Sequence, residues 1–201
     1  MDRFLPFRRL CGLLVVILLT GCYLPSDFTA DIRITPNGNY NFQYVGQLTY
    51  LPLLEKIQKG TLTQSETAKE VKAIAEDLAR DKGFQEISYL DRASFHVRYK
   101  HVGNILQEKS FTFVRTNARL ISLERNPDGT IEIYGDKPNT DNAERIAATG
   151  LVMKGQLRIQ TEAQVKQQNA TQVIQATPPV YVWRINGIKQ PSPRLIFFAR
   201  R

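Results

Sequence analysis

ITPNGNYNFQYV, residues 34–45, puts a turn signal directly before an alternating aromatic run, and that juxtaposition decides how the chain is read. Tyr40, Phe42 and Tyr44 alternate with Asn41 and Gln43, the period of a strand with one apolar and one polar face. Upstream, Phe28 to Ile34 alternates in the same way, and Pro36-Asn37-Gly38-Asn39 supplies the residues a tight turn needs. The two runs predict a β-hairpin with an aromatic face.

Downstream the period changes. Leu51, Leu54 and Ile57 recur at helical spacing, with Pro52 early and Gly60 after, which predicts a short helix of about two turns. Thr63-Gln-Ser-Glu66 is a capping-box pattern ahead of Ala68, Val71, Ile74, Ala75 and Leu78, and Lys82-Gly83 closes an amphipathic helix of about twenty residues. Strands are expected at Phe84 to Tyr89, around Phe95, Val97 and Tyr99, around Phe111 and Phe113, and at Leu120 to Glu124 and Thr130 to Tyr134. The last two flank the turn Asn126-Pro-Asp-Gly129. Asp136 to Asn142 reads as a polar loop. Later strands are expected at Gly155 to Thr161, Val180 to Ile185 and Leu195 to Ala199, with a turn at Asn186-Gly187. Without βαβ alternation, the pattern is that of an α+β domain. It is a mainly antiparallel sheet of about seven to nine strands, packed against one long and one short helix inserted after the N-terminal hairpin. One face would rest on the Val71 to Leu78 helix, and the other meets water or closes toward a barrel-like cavity.

The N-terminus carries a different message. Leu10 to Thr20 is an apolar run of 11 residues, which as a helix spans roughly 16 Å, about half the hydrocarbon thickness of a bilayer. Arg3, Arg8 and Arg9 precede it, and Leu19-Thr20-Gly21-Cys22 ends it. A basic segment, a short apolar segment and small residues before a cut are the anatomy of a secretory signal. The tetrad resembles the lipobox of bacterial lipoproteins. That resemblance implies diacylglyceryl transfer to the Cys22 thiol, cleavage between Gly21 and Cys22, and fatty acylation of the new amino terminus. A thiolate is the side chain best suited to making a thioether, and two or three acyl chains give a lasting anchor where one does not. Tyr23, rather than an aspartate, follows Cys22 and resembles the pattern sorted to the outer membrane, so its periplasmic face is favoured over the inner membrane. The expected organisation is a removed signal at 1–21, a lipidated tether at 22–27 and a single exported domain at 28–201.

Processing changes the composition little. The formal charge drops from +8 to +6 as three arginines and one aspartate leave. Cys11 leaves with the signal and Cys22 carries lipid, so thiol catalysis, disulfides and cysteine metal sites are all excluded from the domain. His96 and His101, the only histidines, are five apart on one predicted strand and so face opposite sides, which disfavours a joint metal site. The acids of the long helix (Glu66, Glu70, Glu76, Asp77, Asp81) are interspersed with Lys69, Lys72, Arg80 and Lys82, as on a solvated face. No catalytic or nucleotide-binding motif is present, and no cofactor is expected. Arg92, Arg98, Lys100, Arg115, Arg119, Arg125, Lys154 and Arg158 lie on or beside predicted strands and are expected to form a positive patch toward an anionic membrane, or simply to keep the domain soluble. Export makes nucleic acid an unsuitable partner.

A second resemblance rests on Gly155-Gln-Leu-Arg-Ile-Gln-Thr-Glu-Ala-Gln-Val165, Asn169-Ala170 and Tyr181-Val-Trp183-Arg-Ile, together with the Asn37-Gly38-Asn39-Tyr40 hairpin. These pieces look like the strand, "V…NA" turn and "W-x-I" strand of LppM-type envelope lipoproteins. The resemblance implies an α+β exported domain tethered to the envelope, with lipid or glycolipid binding, and offers no catalytic residues. Two functions follow as expectations. One is a non-catalytic envelope lipoprotein binding a lipid, a glycan or a protein partner in an apolar cleft lined by Phe95, Tyr99, Phe111, Phe113 and Trp183. The other is an envelope hydrolase using paired carboxylates, which needs two acids converging in a cleft.

Overall fold

A computed structural model of the chain describes residues 23–115, 118–136 and 140–200. The lipobox, Cys22 and the signal segment lie outside the described residues. Among the described residues twelve strands form two sheets, with four helices between and beside them.

The hairpin is built as its turn residues dictate. β1 (Tyr23–Ile34) and β2 (Asn39–Tyr50) pair antiparallel, Ile34 opposite Tyr40 and Tyr23 opposite Tyr50. Gly38 takes φ +84° in the connection, where a Cβ would press on the side chain of Leu106. The short helix α1 (Leu51–Gln58) follows at once, and α2 (Gln64–Ala79) opens on the capping box: the Thr63 side chain accepts from the Glu66 backbone N–H, and the Glu66 carboxylate accepts from the Thr63 N–H. Chain order continues through β3 (Phe84–Tyr89), β4 (Ser94–Asn104), α3 (Ile105–Glu108), β5 (Ser110–Arg115), β6 (Ala118–Arg125), β7 (Thr130–Gly135), α4 (Thr140–Ala148), β8 (Lys154–Gln160), β9 (Val165–Gln168), β10 (Gln172–Ile174), β11 (Val180–Asn186) and β12 (Arg194–Phe198).

The larger sheet has the order β10-β11-β8-β1-β2-β4-β3, and the smaller one β5-β6-β7-β12-β9. All neighbours are antiparallel except β1 and β8. The even-numbered residues of β2 and the odd-numbered residues of β4 meet the inner face of β5. Ring centroids of Tyr44 and Phe113 lie 4.7 Å apart, Tyr99 and Phe113 4.8 Å, and Phe42 and Phe111 5.4 Å. Each such pair adds about 0.5–1.5 kcal/mol beyond the area it buries. One continuous core results, reached by Ile74 and Leu78 from α2 and by Ile131, Ile133, Leu195 and Phe197 from the second sheet.

Four expectations are corrected. Among the described residues the strands number twelve in two sheets, because the polar spacing that reads as one long meander crosses between layers at α3, at α4, after β8, after β9 and before β12. Two helices were not expected: α3 is a single turn, and α4 begins at Thr140, within the stretch expected as a polar loop, and runs to Ala148, where Ile146 is the one large aliphatic residue and so leaves no apolar period to read. The long helix has 16 residues, ending at Ala79. Most of the expected tether belongs to the first strand, which begins at Tyr23, with Tyr23, Leu24 and Pro25 buried. Pro25 and Ser26 argue against a strand, but residues 23–26 pair only with β2, since contact with β8 starts at Phe28, and a proline is tolerated where one side is open. Among the described residues no helix is long and apolar enough to cross a membrane.

Asn169 ties the two sheets together where the chain passes from β9 to β10. Its Oδ1 accepts from the Trp183 indole N–H and from the Arg194 backbone N–H, both at 2.8 Å, and its Nδ2 donates to the Ser192 carbonyl at 2.9 Å. Trp183 is thereby a structural residue, held by its polar handle. Replacing Asn169 by Ala leaves the buried indole without its acceptor and is expected to cost roughly 1–3 kcal/mol, read as a lower midpoint in urea unfolding. An unchanged midpoint would show that the crossing is held by other contacts.

Candidate functional site

The five aromatics expected to line a cleft fill the core instead. Phe95 and Phe113 are fully buried, Tyr99 is 2% exposed, Trp183 3% and Phe111 8%. Tyr99, Phe111 and Phe113 interlock across the two layers around Phe42, Phe95 packs edge-on against Tyr89, and Trp183 binds Asn169. Alternation identified the inward face correctly, yet it could not tell an inner face that meets a second sheet from one that leaves a cavity.

The apolar cleft lies at one end of the sandwich, between β1, β2, β8 and β11 on one side and the facing ends of β6 and β7 on the other. Its floor is Phe28, Tyr44, Leu157 and Ile185, and its rim is Pro25, Leu120, Met153, Ile188 and the prolines Pro191 and Pro193. Two glycines shape the floor. A Cβ at Gly46 would lie 2.4 Å from the Phe28 Cβ, and one at Gly155 would lie 2.3 Å from its ring, so both neighbouring strands are trimmed to let Phe28 lie flat. The Phe28 ring then stacks on Tyr44 at 5.5 Å, at the point where β1 bulges between Ser26 and Thr29. The cavity measures about 60 Å³, far below the roughly 300 Å³ of pockets that engulf a whole small molecule. At the rim, Asp136 pairs with Arg119 at 3.5 Å, so a charged pair stands beside an apolar slot.

The feature that sequence reasoning missed is this end-on position. Its residues come from six separate segments, and only the glycines facing Phe28, which sit in strands without an obvious turn, carry a signal that a close approach is needed.

A second depression, of about 220 Å³, lies on the outer face of the larger sheet, lined by Asp31, Arg33, Asn41, Gln43, Arg158 and Gln160. Its lining is mainly polar, with Ile32 and Val180 the two aliphatic members, and Arg158 pairs with Asp31 at 3.4 Å. The expected positive patch is broken up in the same way: Arg98 meets Glu86, Arg115 meets Asp77 and Arg119 meets Asp136. These residues also divide between the two sheets, so they share no single face. Exposed pairs of this kind contribute about 0–1 kcal/mol each.

Other candidates resolve as follows. His96 and His101 sit on opposite faces of β4: His101 stacks on Phe111 at 4.7 Å and lies 3.9 Å from Glu108, while His96 is on the outer side. Among the described residues no group of three or more His, Cys, Asp or Glu side chains is placed to hold a metal ion. Glu124 and Glu132 stand opposite each other on β6 and β7, the juxtaposition a carboxylate hydrolase needs. Each has its own partner, the Tyr134 hydroxyl and the Arg194 guanidinium, both at 2.6 Å, and neither lines the cleft.

No protein-family model matches the chain, and no curated protein does. A solved structure similar to it is the NMR structure of the folded domain of the LppM protein of Mycobacterium tuberculosis. The TM-score is 0.46 and the sequence identity 10%, with 90% of this chain and 92% of that chain covered.

Several phenols of the core are held neutral. Burial pushes the Tyr44 hydroxyl well above its ordinary value, and it donates to the Gln47 carbonyl at 3.0 Å. Tyr40 and Tyr99 are raised first by burial and then by the carboxylates of Glu108 and Asp81 to which they donate. A phenol with a raised folded pKa favours the fold fully below its unfolded pKa of about 10, and that contribution is lost as pH rises through the folded value. Alkaline titration is therefore expected to show a phase of tyrosinate absorbance that coincides with loss of near-ultraviolet circular dichroism, beginning above about pH 10. Complete tyrosine ionisation with the dichroism intact would contradict this packing.

Proposed function

We propose that the chain is a bacterial envelope lipoprotein, acylated at Cys22, whose non-catalytic domain takes the end of a lipid acyl chain into the cleft beside its first strand. The observation that supports this reading most is the cleft's position. β8 runs parallel to β1 from Phe28 opposite Gly155, so Met153 and the loop after β11 lie at the end of the sandwich where the chain enters at Tyr23. The strand starts one residue after Cys22, and consecutive Cα atoms are about 3.8 Å apart. A lipid on Cys22 would therefore hold the cleft mouth at the bilayer surface, with no spacer between anchor and domain. Apolar walls suit a chain, and the Arg119–Asp136 pair at the rim suits a polar headgroup. The periplasmic face of the outer membrane is the favoured location, on the strength of Tyr23 following Cys22.

The test is native mass spectrometry of the protein purified from membranes of its host. The expected result is a chain beginning at Cys22 with added diacylglyceryl and acyl mass, plus a further non-covalent species of phospholipid or glycolipid mass. Met153→Glu and Ile188→Glu each place a charge in the apolar slot at half-buried positions. They are expected to reduce the non-covalent species about tenfold or more without shifting the thermal midpoint. A chain of unmodified mass that retains Met1 would overturn the anchor. Acylated protein that never carries lipid would overturn the cleft.

A further inference from the structure

Where β3 ends and the β3–β4 connection begins, the chain carries an exposed apolar pair. Tyr89 is 43% exposed and Leu90 46%, and they are adjacent in sequence. The other large exposed residues at strand ends, Val102, Ile174 and Phe198, stand on three different strands at the opposite end of the sandwich. The ladder fixes where the pair lies. Pro25 is opposite Leu48, Leu48 is opposite Phe95, and Phe95 is opposite Tyr89, so the tip begins in the row of Pro25, two residues from the first residue of β1. Three strand spacings separate them, about 14 Å.

The tip is both strained and rigid. Arg92 and Ala93 take φ +43° and +64°, in a turn closed by the Ser94 N–H to the Asp91 carbonyl at 2.7 Å. Asn-Gly is what such a turn normally requires, and non-glycine residues with positive φ persist where the surroundings hold them. Here the Tyr50 N–H donates to the Ala93 carbonyl at 2.9 Å and the Leu90 N–H to the Ser94 carbonyl at 2.9 Å, so the tip cannot relax by folding back. The Tyr89 ring packs edge-on against Phe95 at 5.5 Å and leaves its outer part exposed, and Leu90 and Arg92 are exposed on the turn that follows, so an aromatic, an aliphatic and a cation share one tip.

We infer that Tyr89, Leu90 and Arg92 form a second membrane contact, inserting into the interface of the same bilayer that holds the lipid on Cys22. The inference rests on the anchor proposed above. The occupant is a lipid surface because the chain's entry point brings one to this end, and a tyrosine–leucine–arginine tip is suited to the boundary between headgroups and acyl chains. Two contacts about 14 Å apart would fix the tilt of the domain and aim the cleft mouth at the lipid.

The experiment uses the full acylated chain in vesicles of phosphatidylethanolamine and phosphatidylglycerol with brominated acyl chains, acylation being checked by intact mass and attachment by flotation. Leu90→Trp reports the tip and Val102→Trp the opposite end. Both positions are exposed, and the native Trp183 is buried and common to both variants. Attached protein is expected to show a blue shift and loss of emission at position 90, and none at 102. Attached protein with position 90 unquenched, or with both positions quenched alike, overturns the tip contact and leaves the anchor standing. Protein that carries no acyl mass and does not float overturns the anchor, and this inference with it.

Discussion

The packing of β5 against β2 and β4 is the contact on which the rest of the structure depends. Phe111 and Phe113 enter the alternating row of Tyr40, Phe42, Tyr44 and Tyr99, and the short helix α3 carries the chain across to make that entry. Without it the larger sheet would expose an aromatic face, and the smaller sheet would have nothing to cover. Antiparallel sheets reach a stable core by this kind of face-to-face burial. The same contact closes the middle of the sandwich and confines the remaining cleft to one end.

How much of this was legible follows from the range of each signal. The hairpin, α1, the start of α2 and most strands rest on local patterns: Asn37-Gly38, Thr63 with Glu66, and alternation around Phe95 and Ile131. The partition into two sheets is a long-range fact, and alternation reads the same whichever layer a strand joins. For that reason Phe95, Tyr99, Phe111 and Phe113 were correctly placed on the inner face and wrongly placed in a cleft. Asn169 enters the sequence reading only through the resemblance, and Trp183 through it and as an expected cleft residue; the structure supplies a physical reason for the pair, an indole N–H with a carboxamide acceptor. α4 was missed because nine residues with a single buried isoleucine leave no period to detect.

The first strand joins the two halves of the functional reading. A lipoprotein with a long linker would leave its domain free of the bilayer, and the position of a cleft would then carry no information. Here Tyr23 is already in the sheet and packed against Tyr50 at 5.1 Å between ring centroids. A lipid on the preceding residue would make the geometry of the fold the geometry of membrane approach. The open side of β1, its bulge at Phe28 and the two glycines that admit that ring all fall at this end.

The most direct measurement is hydrogen–deuterium exchange of the acylated protein in lipid nanodiscs, compared with the Cys22→Ala chain in buffer. The account expects slowed exchange at residues 89–93, 151–153 and 187–193, with 101–104 and 172–176 unchanged. Slowing at 101–104 and 172–176 instead, or no difference anywhere, would contradict the claim that the cleft end faces the bilayer.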